Sequence, residues 1–173
     1  MKIALDIGHA RRTGASGNGI QEHERAADLA RLLAQYLNPP HTAEIIDYPN
    51  LSNSADLAAT VRAGDAGRFD LCLSLHFDSS PNPAAHGAPV IYTSAKGKKV
   101  AEAIAAQKCP LLPGRAEQIV HRDGLYVLDK TACPAVLIEG GFLTNLHDAA
   151  FLKTELFRLA RAIAQGLKNF TFE

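Results

Sequence analysis

Two histidines and a glutamate stand where this 173-residue sequence can do chemistry. The apolar run at 2–7 leads to Gly8-His9, the run at 70–75 leads straight into His76, and the β-branched run at 134–138 ends at Glu139. Each run has strand character. In an open α/β sheet the carboxyl ends of the strands line the crevice where ligands bind. A lone histidine in such a place reads as a satisfied structural residue. Two of them at matching strand ends, with a carboxylate at a third, read as a site.

A metal bound there needs a further donor, and the loop after His9 leads to two candidates, Glu22 and Glu24. Helical phase separates them. Glu22 stands 7, 11 and 14 residues before Leu29, Leu33 and Tyr36, on the stripe that faces the sheet. Glu24 lines up with Asp28, Arg31 and Gln35, a polar stripe that faces solvent. Glu22 is therefore the better ligand. Two imidazoles and one carboxylate, with the fourth position left to water, form a catalytic zinc arrangement. Structural zinc sites are usually rich in cysteine, and nothing here resembles one. Among the other histidines, His23, His41 and His147 flank helix ends and are expected to be exposed, whereas His86 and His121 lie in loops that border the crevice.

Alternating elements must position these groups. After the strand at 2–7, a loop rich in Gly, Ser, Thr and Arg covers 10–21, and a helix runs from Glu22 to about Leu37, where Pro39 and Pro40 stop it. The pattern continues with strands at 44–48, 70–75, 88–93, 126–128 and 134–138, and helices at 54–63 and 98–107. Asn145, with Asp148 three residues on, caps a last helix whose apolar positions Phe151, Leu152, Leu156, Leu159 and Ile163 recur near the helical period. This order predicts an α/β three-layer sandwich: a mostly parallel, twisted central sheet with helices on both faces. No repeat or linker divides the chain, so residues 1–173 read as one domain.

Composition narrows the partners. Eighteen Lys and Arg balance eighteen Asp and Glu, which argues against general affinity for nucleic acid or an anionic membrane. No apolar run approaches the ~20 residues that cross a bilayer. The opening residues read as a strand and lack the apolar core of a signal peptide. Taken as the natural start, they imply no export by the general secretory route. Cys72, Cys109 and Cys133 form no CxxC pair and are expected to be reduced and mostly buried.

Four segments in order resemble the zinc-dependent N-acetylmuramoyl-L-alanine amidases of the amidase-3 type, which include cell-separation amidases, spore-cortex enzymes and phage endolysins. Ile3-Ala4-Leu5-Asp6-Ile7-Gly8-His9 resembles the family's opening strand and Asp-x-Gly-His motif. Gly17-Asn18-Gly19-Ile20-Gln21-Glu22 resembles its Gly-rich loop, and Ser74-Leu75-His76-Phe77-Asp78 its Ser-x-His-x-Asn segment. The run from Pro134 through Glu139 to Asn145 resembles its Pro-Ala-Val-Leu-x-Glu-x-Gly-Phe-x-x-Asn signature. The resemblance covers nearly the whole chain. It implies one zinc ion held by His9, Glu22 and His76, with Glu139 as the catalytic carboxylate and peptidoglycan as substrate.

Two departures stand out. Ala10-Arg11 follows the first histidine where the family usually has two glycines, and Asp78 stands where asparagine is common, adding negative charge beside the metal. Candidate substrate contacts are His121, Arg122, Asp78 and His86, with His121 or Arg122 as an oxyanion donor. No long insertion suggests an autoinhibitory helix. The rival readings are a zinc peptidoglycan peptidase or carboxypeptidase, and a non-catalytic cell-wall binding module. An endolysin-like protein, made in the cytoplasm and acting on the wall, is favoured over the trimmed catalytic domain of a longer secreted autolysin.

Overall fold

The first strand, β1 (Lys2–Ile7), is buried on both sides, which explains its unbroken apolar sequence. A computed structural model describes residues 1–114, 117–168 and 170–172. After β1 come a two-residue hairpin, β2 (Ser16–Gly17) and β3 (Ile20–Gln21), then α1 (Glu22–Leu37), β4 (Thr42–Ile46) and α2 (Asn53–Gly67). Next are β5 (Leu71–Asp78), β6 (Val90–Tyr92), α3 (Ala95–Lys108) and β7 (Ile119–His121). The chain closes with α4 (Tyr126–Lys130), β8 (Ala135–Phe142), α5 (Leu146–Thr154) and α6 (Leu156–Leu167).

Among the described residues six strands form one sheet in the order β4-β1-β5-β8-β6-β7. The first four run parallel, and β6 and β7 run the other way as a parallel pair joined antiparallel to β8. The sheet is thus mixed, with its four-stranded parallel part carrying the carboxyl ends that matter. On one face, α1, α3 and α6 pack through Leu29, Leu33, Ile104, Leu159 and Ile163, all fully buried. On the other, α2 and α4 cover Ala4, Cys72, Ala135 and Leu137, with Phe69, Val127 and Leu128 filling that layer. Burying each large aliphatic side chain contributes roughly 1.5–3 kcal/mol, so the two layers hold the parallel strand ends in fixed register. The three-layer expectation holds.

Several local expectations change. Residues 126–128 form the start of helix α4 instead of a strand. Val127 and Leu128 are adjacent and both buried against the same face. A strand would send one of them outward, whereas a helical turn buries both. The edge position belongs to β7 (Ile119–His121). The expected last helix is two, α5 and α6, parted at Glu155, whose ψ of 18° leaves the helical range. Its apolar stripe keeps phase across the break, and Asn145 Oδ1 caps α5 by accepting from the amides of His147 and Asp148.

Tyr36 is exposed, off the buried stripe that Leu29 and Leu33 define. His147 is exposed as expected, but His23 and His41 are buried. His23 Nε2 bonds Asp47 at 3.0 Å. His41 Nε2 donates to the Leu167 carbonyl at 2.9 Å, and its Nδ1 lies 3.2 Å from the Met1 amine. Each imidazole finds partners brought in by a distant element, which offsets its desolvation. All three cysteines are free; Cys72 and Cys109 are buried and Cys133 partly so.

Candidate metal centre and active site

Strand register sets the site. Glu139 on β8 pairs with His76 on β5, so the two side chains stand side by side on one face. The Gly8 amide donates to the Leu75 carbonyl, carrying β1 one step beyond its last ladder pair and delivering His9 to the same edge. His9 adopts φ 63°, a left-handed conformation uncommon outside glycine, which turns its ring back toward the strand ends. Helix α1 begins over this edge, and Glu22, its first residue, is buried at 2% exposure while Glu24 is exposed. The helical-phase choice between them agrees with this placement.

The three groups converge. One donor atom each from His9, Glu22 and His76 lies within 4.8 Å of the others. His76 Nδ1 is 3.0 Å from Glu22 Oε1, and His9 Nε2 is 3.3 Å from Glu22 Oε2. Backbone amides fix the carboxylate between them: Ala15 donates to Oε2 at 2.6 Å and Phe77 to Oε1 at 3.1 Å. Two glycines make room. A Cβ on Gly8 would meet the His76 ring, and one on Gly14 would meet both Glu22 and the His9 ring.

Electrostatics follow from this packing. Burial pushes the Glu22 carboxyl up, but hydrogen bonds from His76, His9 and Ala15 outweigh it and hold it below the usual range. Burial pushes the His76 imidazolium down, yet its bond to Glu22 and the charges of Glu139, Glu22 and Asp6 raise it overall. Glu139 is pushed up to about 7, chiefly by burial, with Asp78 and Glu22 adding and His76 and Lys108 opposing. Its Oε2 is buried with no hydrogen-bond partner among the described residues. A neighbouring pair of carboxylate environments is thereby split, one firmly ionised and one poised near neutrality.

A metal fits this donor set. In a tetrahedral zinc centre with bonds of ~2.0–2.1 Å the donor atoms stand about 3.3 Å apart. The separations of 3.0 and 3.3 Å are of that size but reach different oxygens of the Glu22 carboxylate, and one donor atom from each of the three residues lies within 4.8 Å of the others. The set contains two imidazoles, one carboxylate and no thiolate, and the orphaned Glu139 oxygen sits beside it. Such a set suits an open, catalytic position better than a closed structural one.

The remaining sequence candidates divide. Asp78 closes β5 and acts electrostatically on Glu139, with its Oδ1 accepting from the Ser79 amide at 2.8 Å. His86 lies in the loop ahead of β6 on the same edge of the sheet, where its Nδ1 donates to the Pro113 carbonyl at 2.8 Å. His121 and Arg122 are not brought to the site. Because β7 runs against β8, His121 pairs with Tyr92, which pairs with Val136 near the start of β8. Both residues lie at the opposite edge from Glu139. The antiparallel edge pair, invisible to the alternation argument, reverses their placement.

Sequence reasoning did not assign roles to several supporting residues. Asp6 is buried and accepts from Ser74 Oγ at 2.5 Å and Thr60 Oγ1 at 3.1 Å, steadying the face from which His76 projects. An acid inside an otherwise apolar strand was the available signal. Asp148 Oδ2 accepts from the Gly87 and Phe142 amides, tying the loop before β6 to the end of β8. No sequence feature marks that tie.

Fold and site together define an α/β domain with a carboxylate–bis-imidazole centre at the carboxyl ends of its parallel strands. The family model described as N-acetylmuramoyl-L-alanine amidase matches residues 3–169, and the chain belongs to that family. It is 30% identical over 97% of its length to N-acetylmuramoyl-L-alanine amidase LytC of Bacillus subtilis, and 26% identical over 95% to the endolysin of Bacillus phage SPP1. It spans 35% of LytC and 64% of that endolysin. Among solved structures, the catalytic domain of CD27L endolysin targeting Clostridia difficile superposes with a TM-score of 0.89 at 26% identity, covering 100% of this chain and 99% of that one. The catalytic domain of CwlV from Bacillus (Paenibacillus) polymyxa gives 0.83 at 25% identity, covering 96% of each chain.

Proposed function

We propose that this domain hydrolyses the amide bond between N-acetylmuramic acid and L-alanine in peptidoglycan, using one zinc ion held by His9, Glu22 and His76. The observation that carries this reading is the convergence of those three side chains beside Glu139, in a chain of the amidase family. Zinc in such a site supplies Lewis acidity toward a carbonyl and acidifies a water ligand. Glu139 is the proton carrier. Its acid strength, shifted to about 7 by burial, suits it both to take a proton from the attacking water and to return it to the leaving L-alanine amine near neutral pH. Glu22, ionised and held by two amides, orients both imidazoles. Asp78 and His86, on the same edge, are the candidates to touch the glycan or stem peptide. The place of action is the bacterial cell wall, as the names of the relatives suggest for them.

The test is mass spectrometry of muropeptides from purified wall treated with the protein, with and without chelator. Free glycan strands plus intact stem peptides, abolished by chelator and restored by zinc, are the expected result. Shortened stems would mean a peptidase, and wall binding without cleavage would mean a binding module.

A further inference from the structure

Lysine 108 ends helix α3 and is fully buried, although nothing in the mechanism above uses it. Its ammonium donates to the Glu139 carbonyl at 2.8 Å and to the Ala88 carbonyl. The reason for a cation in this place lies in the sheet. Strands β6 and β8 pair antiparallel, with Val90 opposite Ile138, which sets residue 89 opposite residue 139. The Glu139 amide donates to the Pro89 carbonyl at 3.1 Å, the mark of a position where both residues normally exchange two bonds. Proline has no N–H to return. The Glu139 carbonyl therefore loses its ladder donor, and the Lys108 ammonium occupies that role.

The position is also where β8 stops being held regularly. On its other side the register with β5 slips between His76 and Asp78, and beyond Glu139 come Gly140 and Gly141, the latter at φ 129°. The backbone at Glu139 is thus held toward β6 by two partners, the Pro89 carbonyl on its amide and a lysine side chain on its carbonyl. We propose that Lys108 is a positioning residue for Glu139, its ammonium replacing the backbone donor that Pro89 lacks and so fixing the carboxylate beside His76. Burial moves Lys108 down to about 8, which leaves it mostly protonated at neutral pH and donating hydrogen bonds to these carbonyls.

This inference rests on Glu139 being the proton carrier. The test compares Lys108→Met, Pro89→Ala/Lys108→Met and Pro89→Ala, with Glu139→Gln as a control, in a soluble muropeptide assay. Lys108→Met is expected to lower kcat at least tenfold with KM and zinc content unchanged. Pro89→Ala restores an N–H opposite Glu139, so the double variant should recover kcat to within threefold of Pro89→Ala. The Glu139 carbonyl 13C resonance should move in Lys108→Met and return in the double variant. If Lys108→Met does not fold, the double variant against Pro89→Ala still decides. A folded double variant tenfold or more below Pro89→Ala, or a Lys108→Met protein with native kcat, overturns the inference. Native hydrolysis by Glu139→Gln would instead sink the role of Glu139, which the carbonyl resonance does not depend on.

Discussion

Replacing Gly8 by alanine puts one methyl group into the space that His76 occupies. The new Cβ would fall 2.4 Å from Cε1, 2.5 Å from Nε2 and 2.6 Å from Nδ1 of that ring, where ordinary contact begins at 3.4 Å. The backbone has little room to retreat, because the Gly8 amide bonds Leu75 and the preceding Ile7 is paired with Leu75 in the sheet. The ring must therefore give way by about 1 Å. Metal sites hold their donor distances to within about 0.2 Å, and a 1 Å misplacement at a catalytic centre lowers rates by about 10²-fold. Gly8 does not use a left-handed backbone, so alanine itself is tolerated by the chain. Gly8→Ala is expected to lose zinc on dialysis and to hydrolyse wall at least ~100-fold more slowly. Its thermal midpoint should fall by only a few degrees. Elemental analysis, muropeptide release and circular dichroism read the three quantities. Native zinc content with hydrolysis within threefold of the parent would refute the reasoning.

Glu139→Gln should keep fold and zinc while lowering kcat by ~10²–10⁴, the usual contribution of a positioned acid–base group; single-turnover hydrolysis measures it. His121→Ala/Arg122→Ala should leave kcat/KM within twofold, since both residues lie at the far edge of the sheet, and a tenfold loss would mean that substrate reaches them. Asp56 is buried and pushed up to about 6, first by burial and then by Asp6 and Asp47. Its carboxyl holds a proton more tightly folded than unfolded, so wild-type stability falls as pH rises from its usual 3.8 to about 6 and stays lower above. Asp56→Asn should thus gain on the order of 2 kcal/mol relative to wild type at pH 8 compared with pH 3, by urea denaturation; an equal difference at both pH values would contradict the shift.

His9, His76 and Glu139 were legible because a run of apolar residues that stops at a polar one is a local pattern, although β5 and β8 run on past it to Asp78 and Phe142. Glu22 was legible for a related reason: helical phase alone separates it from Glu24, two residues on. What stayed hidden depends on partners far along the chain. His23 and His41 are buried because Asp47 and the Leu167 carbonyl come to meet them. The direction of β6 and β7 decides the fate of His121, and an antiparallel edge leaves no mark in an alternation of strands and helices. Lys108 looks like an ordinary lysine at a helix end, and the Ala88 and Glu139 carbonyls that receive its ammonium come from segments 20 and 31 residues away.

The central claim is that His9, Glu22 and His76 hold the catalytic metal. Anomalous diffraction at the zinc absorption edge, from crystals of the zinc-loaded protein, tests it most directly. A single peak about 2.0–2.2 Å from one atom of each of those three residues is the predicted result. A strong zinc peak bound elsewhere, with those three side chains left unligated, would contradict it.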